Sequence, residues 1–94
     1  MAEYVWTVVN DLTPPSVVSV EVVDCRTLIL NYNEAVVEAE ALMPGNYSVD
    51  NGLAVLAVAP LSSSQYRLTT SLQVPALLYT GTVTNVHDLA GNNI

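Results

Sequence analysis

The chain is poorest in positive charge: two basic residues stand against nine acidic ones, giving a formal net charge of −7 and an isoelectric point near 4.1. Such a surface repels nucleic acid and anionic membranes, whereas a cation is attracted. Cys25 is the single cysteine, so an internal disulfide and a multi-cysteine metal cluster are excluded. With only Arg26 as a basic neighbour, it reads as a thiol in or beside a turn. The four glycines are scattered, which leaves no phosphate-cradling loop. No apolar run approaches the roughly 20 residues that a membrane helix requires, so no membrane insertion is expected. At 94 residues there is room for one core, since a single β-sandwich takes about 100.

Hydrophobic residues make up 51% of the chain and charged ones 12%, a balance that favours a folded core over disorder. The apolar residues come in short strand-like runs. Residues 4–9 place Tyr4, Trp6 and Val8 on one side and Val5, Thr7 and Val9 on the other, so both sides call for burial. Residues 10–16 break the pattern, because Pro14 and Pro15 cannot donate to a ladder, and this is the natural boundary. It divides the chain into an N-terminal strand in residues 1–10 and a domain in residues 11–94.

Within the domain, residues 17–23 alternate, with Val18, Val20 and Val22 on one face. Residues 27–32 repeat the alternation with Leu28, Leu30 and Tyr32 inward, and the short Asp24-Cys25-Arg26 link predicts an antiparallel hairpin. Residues 38–43 are good helix formers but allow about one turn before Pro44-Gly45. A short strand at residues 46–49 runs into Asp50-Asn51-Gly52, whose Asn-Gly pair accepts the positive φ of a tight hairpin turn. Residues 53–59 return with both faces apolar, so the pattern leaves open which of them point inward. After a polar turn, residues 65–70 alternate with Tyr66 and Leu68 inward and Arg67 outward. Residues 77–86 read as the last strand, with Tyr79, Gly81 and Val83 on one face and Gly81 marking a bulge or a close approach by another backbone. The sum is all-β, a sandwich of about seven short antiparallel strands with one helical turn near residues 38–43.

Several stretches together carry a resemblance: Asp11-x-Thr13-Pro14-Pro15, Thr27-Leu28-x-Leu30-x-Tyr32-Asn33-Glu34-Ala35-Val36, Asn46-Tyr47-Ser48-Val49, Leu68-Thr69-Thr70, Tyr79-Thr80-x-Thr82-Val83 and Asp88-Leu89-Ala90-Gly91-Asn92. Over residues 11–94 the chain resembles the bacterial immunoglobulin-like domain found in S-layer proteins, large adhesins and multidomain surface enzymes. It departs at Ala35, where the family usually has proline, and at Gly81, where it usually has a β-branched residue. The resemblance implies an immunoglobulin-like sandwich without a reaction of its own, working as a spacer or interaction repeat of a cell-surface or secreted protein. The alternative is an accessory module that binds carbohydrate or protein. It also implies an extracellular or cell-surface location, with a signal upstream, because Met1-Ala2 starts no signal peptide. Family members usually continue beyond the DxAGN loop into a closing strand, and residues 3–8 resemble the closing strand of a preceding repeat. Partners are then adjacent domains of the same polypeptide or other copies of the chain, joined through a donated or swapped strand.

Candidate chemistry is sparse. Asp88, Asn92 and Asn93 around Gly91 offer oxygens suited to Ca²⁺, to which Asp11 and Glu34 could add; no cofactor is required, and the same Asp and Asn side chains also serve simply to cap their own turn. His87 beside Asp88 makes no dyad with it, because neighbours on an extended segment point to opposite faces, and it reads as an exposed histidine. Ser62, Ser63, Ser64 and Ser71 sit in turns without a nucleophile elbow, so an enzyme is not expected. Tyr79 is placed for a tyrosine corner, its hydroxyl bonding nearby backbone. Tyr4, Trp6 and Tyr47 would be the residues of an aromatic sugar-binding strip, were they to gather on one surface. Asn46-Tyr47-Ser48 matches a glycosylation sequon, which a bacterial resemblance makes a chance match.

Overall fold

The computed structural model describes residues 13–94, so the strand read at residues 4–9 lies outside the described residues. The strands are β1 Val17–Asp24, β2 Thr27–Tyr32, β3 Tyr47–Val49, β4 Val55–Pro60, β5 Gln65–Thr70 and β6 Gly81–Val83, with one helical turn, α1, at Glu38–Ala41 and a 3₁₀ turn at Pro44–Asn46. They form two layers, a four-stranded sheet in the order β1-β2-β5-β4 and a two-stranded sheet β3-β6. Every pairing is antiparallel. The result is an all-β sandwich, with six of the expected strands among the described residues.

The first hairpin forms as its link predicts. Asp24 Oδ1 accepts the Arg26 N–H at 2.8 Å, an Asx turn that closes the two-residue connection; that bond, ahead of those from Thr27, holds the Asp24 carboxyl below its usual range. In the central strands the alternation holds: Leu30 and Tyr32 of β2 and Tyr66, Leu68 and Thr70 of β5 are buried, and Leu28 packs against them. The inner face carries one polar lane. Tyr47 donates its hydroxyl hydrogen to the Ala41 carbonyl at 2.6 Å, so the 2.8 Å contact between the two phenols is Tyr32 donating to Tyr47. Burial raises the pKa of both phenols. The Tyr66 ring meets Tyr32 edge to face at 5.8 Å, a favoured aromatic geometry.

The outer strands depart from simple alternation for one physical reason, an extra residue in the ladder. Val17 pairs with Tyr32 and Ser19 with Asn31, so Val18 has no counterpart; Val23 is extra in the same way between the Val22↔Leu28 and Asp24↔Thr27 pairs. The extra residues at Val18 and Leu56 reverse the facing of the residues beyond them. Val18 therefore leaves the face expected for it, and Val17 joins Val20 and Val22 on the side toward the second layer. Leu56 is the extra residue of β4, between Val55↔Thr70 and Ala57↔Thr69. That settles the facing the pattern left open: Leu53 is buried, Val55 and then Val58 pack on the core, and Leu56 and Ala57 face solvent.

Three other expectations are corrected. Asn51 and Gly52 do adopt positive φ, at 55° and 77°, but β3 and β4 belong to different sheets, so the turn is a crossover and not a hairpin. Asp50 is tied instead to Thr80, donating its N–H to the Thr80 carbonyl and accepting the Thr80 N–H on Oδ1. The last strand shrinks from residues 77–86 to Gly81–Val83: the Leu77 N–H closes a turn on the Val74 carbonyl, the Thr80 N–H goes to the Asp50 side chain, and Asn85 bends the chain at φ 57°. Gly81 is neither a bulge nor a close approach: it pairs regularly with Val49, and a Cβ there would meet the Ser48 carbonyl at an ordinary 3.7 Å. Pro44, expected as a stop, also opens the 3₁₀ turn; Met43 before it is extended at ψ 111°, as a residue preceding proline should be.

Candidate interaction cleft and the Asp88 loop

A four-stranded layer facing a two-stranded one leaves part of its inner surface without a counterpart, and that part is β1. Between β1 and β6 runs an apolar cleft of about 740 Å³, walled by Val20 and Val22 on one side and Val49 and Val83 on the other, with Leu28 and Leu30 at its floor. Among the described residues that line it, Asp24 alone has a charged side chain. Both flanking strands have a free side among the described residues: β1 pairs only with β2, and β6 only with β3. Cys25 is a free, exposed thiol at one mouth of the cleft, in the turn position expected for it.

The two ends of the cleft are fixed by different hydrogen bonds. At the start of β1, Ser16 and Asn33 are doubly bonded, Ser16 N–H to Asn33 Oδ1 and Asn33 N–H to the Ser16 carbonyl, both at 2.9 Å. Val36 nearby bridges to Asp88, and the Ile94 N–H returns to the Val86 carbonyl. At the end of β1, the Cys25 carbonyl accepts the Gln73 N–H, and the Tyr79 hydroxyl accepts the Val74 N–H at 2.9 Å. Tyr79 thus closes the 74–79 loop from a corner position. Because residues 79–81 lie at the Cys25 end and residues 86–88 at the Ser16 end, β6 runs opposite to β1.

The Asp88 loop brings together three of the five residues named for Ca²⁺, Asp88, Asn92 and Glu34. Asp88 is 2% exposed, with Oδ1 accepting the N–H groups of Ala90 at 3.0 Å and Asn92 at 2.8 Å, and Oδ2 accepting the Asn92 side-chain amide at 2.9 Å. Gly91 makes the turn at φ 90°. Burial, the largest single influence, pushes the Asp88 carboxyl up, but the Asn92 side chain and N–H, the Glu34 side chain and the Ala90 N–H together bring it down to about 2. Glu34 therefore reaches Asp88, while Asp11 lies outside the described residues. The chemistry of the donor set does not suit calcium: an ion of that kind takes six to eight oxygens, and here N–H donors occupy the Asp88 oxygens. Among the described residues no group of three or more His, Cys, Asp or Glu side chains is placed to hold a metal ion.

His87 is not the bare exposed histidine that its position in the sequence suggests. Its Nδ1 lies 2.9 Å from Glu40 Oε2, and its backbone N–H donates to Glu40 Oε1 at 3.0 Å. Glu40 is 47 positions away, a separation at which no local pattern signals a partner. The turn serines are used structurally: Ser62 Oγ accepts the Ser64 N–H and Ser71 Oγ accepts the Ala54 N–H. Tyr47 is buried, so it cannot join an exposed aromatic strip, and Tyr4 and Trp6 lie outside the described residues. Asn46 is likewise buried, its amide donating to the Glu40 carbonyl at 2.9 Å.

No protein-family model matches the chain, and no curated protein does. Among solved structures, the chain is similar to the N-terminal part of the bacterial S-layer protein SbsC, with a TM-score of 0.76 and 25% identity over 86% of this chain and 21% of that one. It is similar also to the surface layer protein SbsC, domains 1-6, with a TM-score of 0.78 and 24% identity over 88% of this chain and 12% of that one. Against the S-layer protein rSbsC(31-844) the TM-score is 0.77, with 25% identity over 87% and 12% of the two chains. The chain thus spans between 12% and 21% of the length of the structures it matches.

Proposed function

We propose that this chain is a non-catalytic structural domain, a spacer or interaction repeat within a bacterial cell-surface protein of the S-layer type. The observation that carries the reading is the near-complete likeness of this chain to a small part of much longer S-layer chains. The strand order, with β1-β2-β5-β4 facing β3-β6, supports its immunoglobulin-like character, since a constant-type sandwich places its first, second, fifth and fourth strands in one sheet. Partners are adjacent domains of the same polypeptide or other copies of the chain, and the location is extracellular. No reaction is assigned: His87 is engaged with Glu40, and the turn serines serve backbone groups.

The alternative, an accessory binding module, is favoured in its protein-binding form by the apolar cleft and disfavoured in its carbohydrate form by the burial of Tyr47. Brief proteolysis of intact cells of the source bacterium tests the main reading. Peptides from residues 13–94 are expected in the released fraction, and their recovery only after lysis would overturn it.

A further inference from the structure

We propose that the cleft between β1 and β6 accepts residues 4–9 of a second copy of this chain, laid antiparallel along the free side of β6, so that copies link head to tail. This deepens the reading above, in which copies are partners, and rests on it for the presence of neighbours. The walls state what fits. Val20 and Val22 are 50% and 65% exposed, although they point toward the second layer, and the side of β6 away from β3 faces no strand among the described residues. An extended, uncharged segment with apolar side chains would satisfy both, the backbone by strand addition and the side chains by burial.

Tyr4-Val5-Trp6-Thr7-Val8-Val9 has that composition, with no charge in the six residues and apolar groups on both sides. At about 3.3 Å per residue it extends roughly 20 Å, within the reach of a strand of β1's length.

Direction decides between the same chain and another. All described pairings are antiparallel, and a strand antiparallel to β6 runs with β1, from the Asp88 end to the Cys25 end. Residue 9 would then lie at the Cys25 end, while Ser16 of the same chain is held at the other end by its two bonds to Asn33. The seven steps between them cover about 23 Å only when fully extended, so filling the cleft from within one chain demands a taut return along the whole sheet. A second copy faces no such demand. Its Ser16 end then sits beyond the acceptor's Cys25 end while its own cleft stays open, an interface that repeats instead of closing.

The test uses two full-length variants. Thr7→Pro removes an N–H from the donor segment, and Val22→Lys puts a charge in the cleft at an exposed position, with far-UV circular dichroism checking its fold and Val20→Lys as a second acceptor variant. Light scattering should show wild-type mass rising with concentration through dimers to longer species. Each variant alone should stay monomeric, and an equimolar mixture should form a species of two chains and nothing larger. Trp6, the sole tryptophan, should shift its emission to the blue on mixing. A wild type that stays monomeric at millimolar concentration overturns the proposal, as do variants that still assemble alone, a mixture that remains monomeric, or a wild type that stops at closed dimers. A failed surface-proteolysis test with intact complementation would instead overturn only the cellular reading.

Discussion

Two side chains decide much of the polar bookkeeping inside this sandwich, Tyr47 and Asp88. Tyr47 stands between Tyr32 and the Ala41 carbonyl, accepting from one and donating to the other. Tyr47→Phe leaves both without that partner, and a buried group deprived of its hydrogen bond costs about 1–3 kcal/mol; Tyr32→Phe keeps the Tyr47 to Ala41 bond and should cost less. Urea unfolding of the two variants checks the order, and equal losses would mean that Tyr47 donates to Tyr32 instead of to the Ala41 carbonyl. Asp88 acts through charge. Its carboxyl is brought to about 2 in the folded chain from an ordinary 3.8. A depressed value means that its contribution is fully present above the unfolded value and is lost as pH falls through 3.8 toward 2. The thermal midpoint of the wild type should therefore decline over that window, and Asp88→Asn should start lower at about pH 5 and decline less steeply.

At the scale of elements, β6 is the short one, and Gly81 at its start is the position where a side chain should help. Gly81 has an ordinary negative-φ backbone and room for a Cβ. Gly81→Ala should stabilise by about 0.4–1 kcal/mol, chiefly by restricting the unfolded chain, and a lower unfolding midpoint in denaturant would show that the space is not usable. The same strand shows where sequence patterns stop being informative. Residues 27–32 and 65–70 are legible because both strands lie inside the four-stranded sheet, where one face is core, and they pair with each other without a register shift. The helical turn is legible from Glu38-Ala39-Glu40-Ala41 followed by proline. The facing of β1 and β4 is not, because extra residues at Val18 and Leu56 reverse it without a marker residue. Asn85 with positive φ inside an apparently continuous Thr-Val-Thr-Asn-Val run shortens β6, since a residue other than glycine adopts that conformation only when its surroundings demand it. Asn51-Gly52 is legible as a turn but misleads as a hairpin, because turn geometry is local and sheet membership is not.

For the molecule as a whole, the dominant quantity is charge, −7 on 94 residues, and it complicates any reading of the Asp88 loop as a calcium site. A loop of Asp, Gly and Asn is recognisable in the sequence as a turn, but the sequence cannot show that N–H donors have already taken the carboxylate. Any divalent cation will raise the melting temperature of such an anionic chain somewhat, by screening its self-repulsion. A built calcium site would add a selective increment, because magnesium demands a smaller octahedral shell and dehydrates reluctantly. The discriminating comparison is thus Ca²⁺ against Mg²⁺ at equal millimolar concentration and ionic strength, with EDTA as the baseline. The geometry leads to equal shifts for the two ions, and the same shift when sodium chloride supplies the ionic strength. A rise specific to Ca²⁺ that disappears in Asp11→Asn would mean that Asp11 completes a site with the loop, and that the N–H donors around Asp88 give way to the ion.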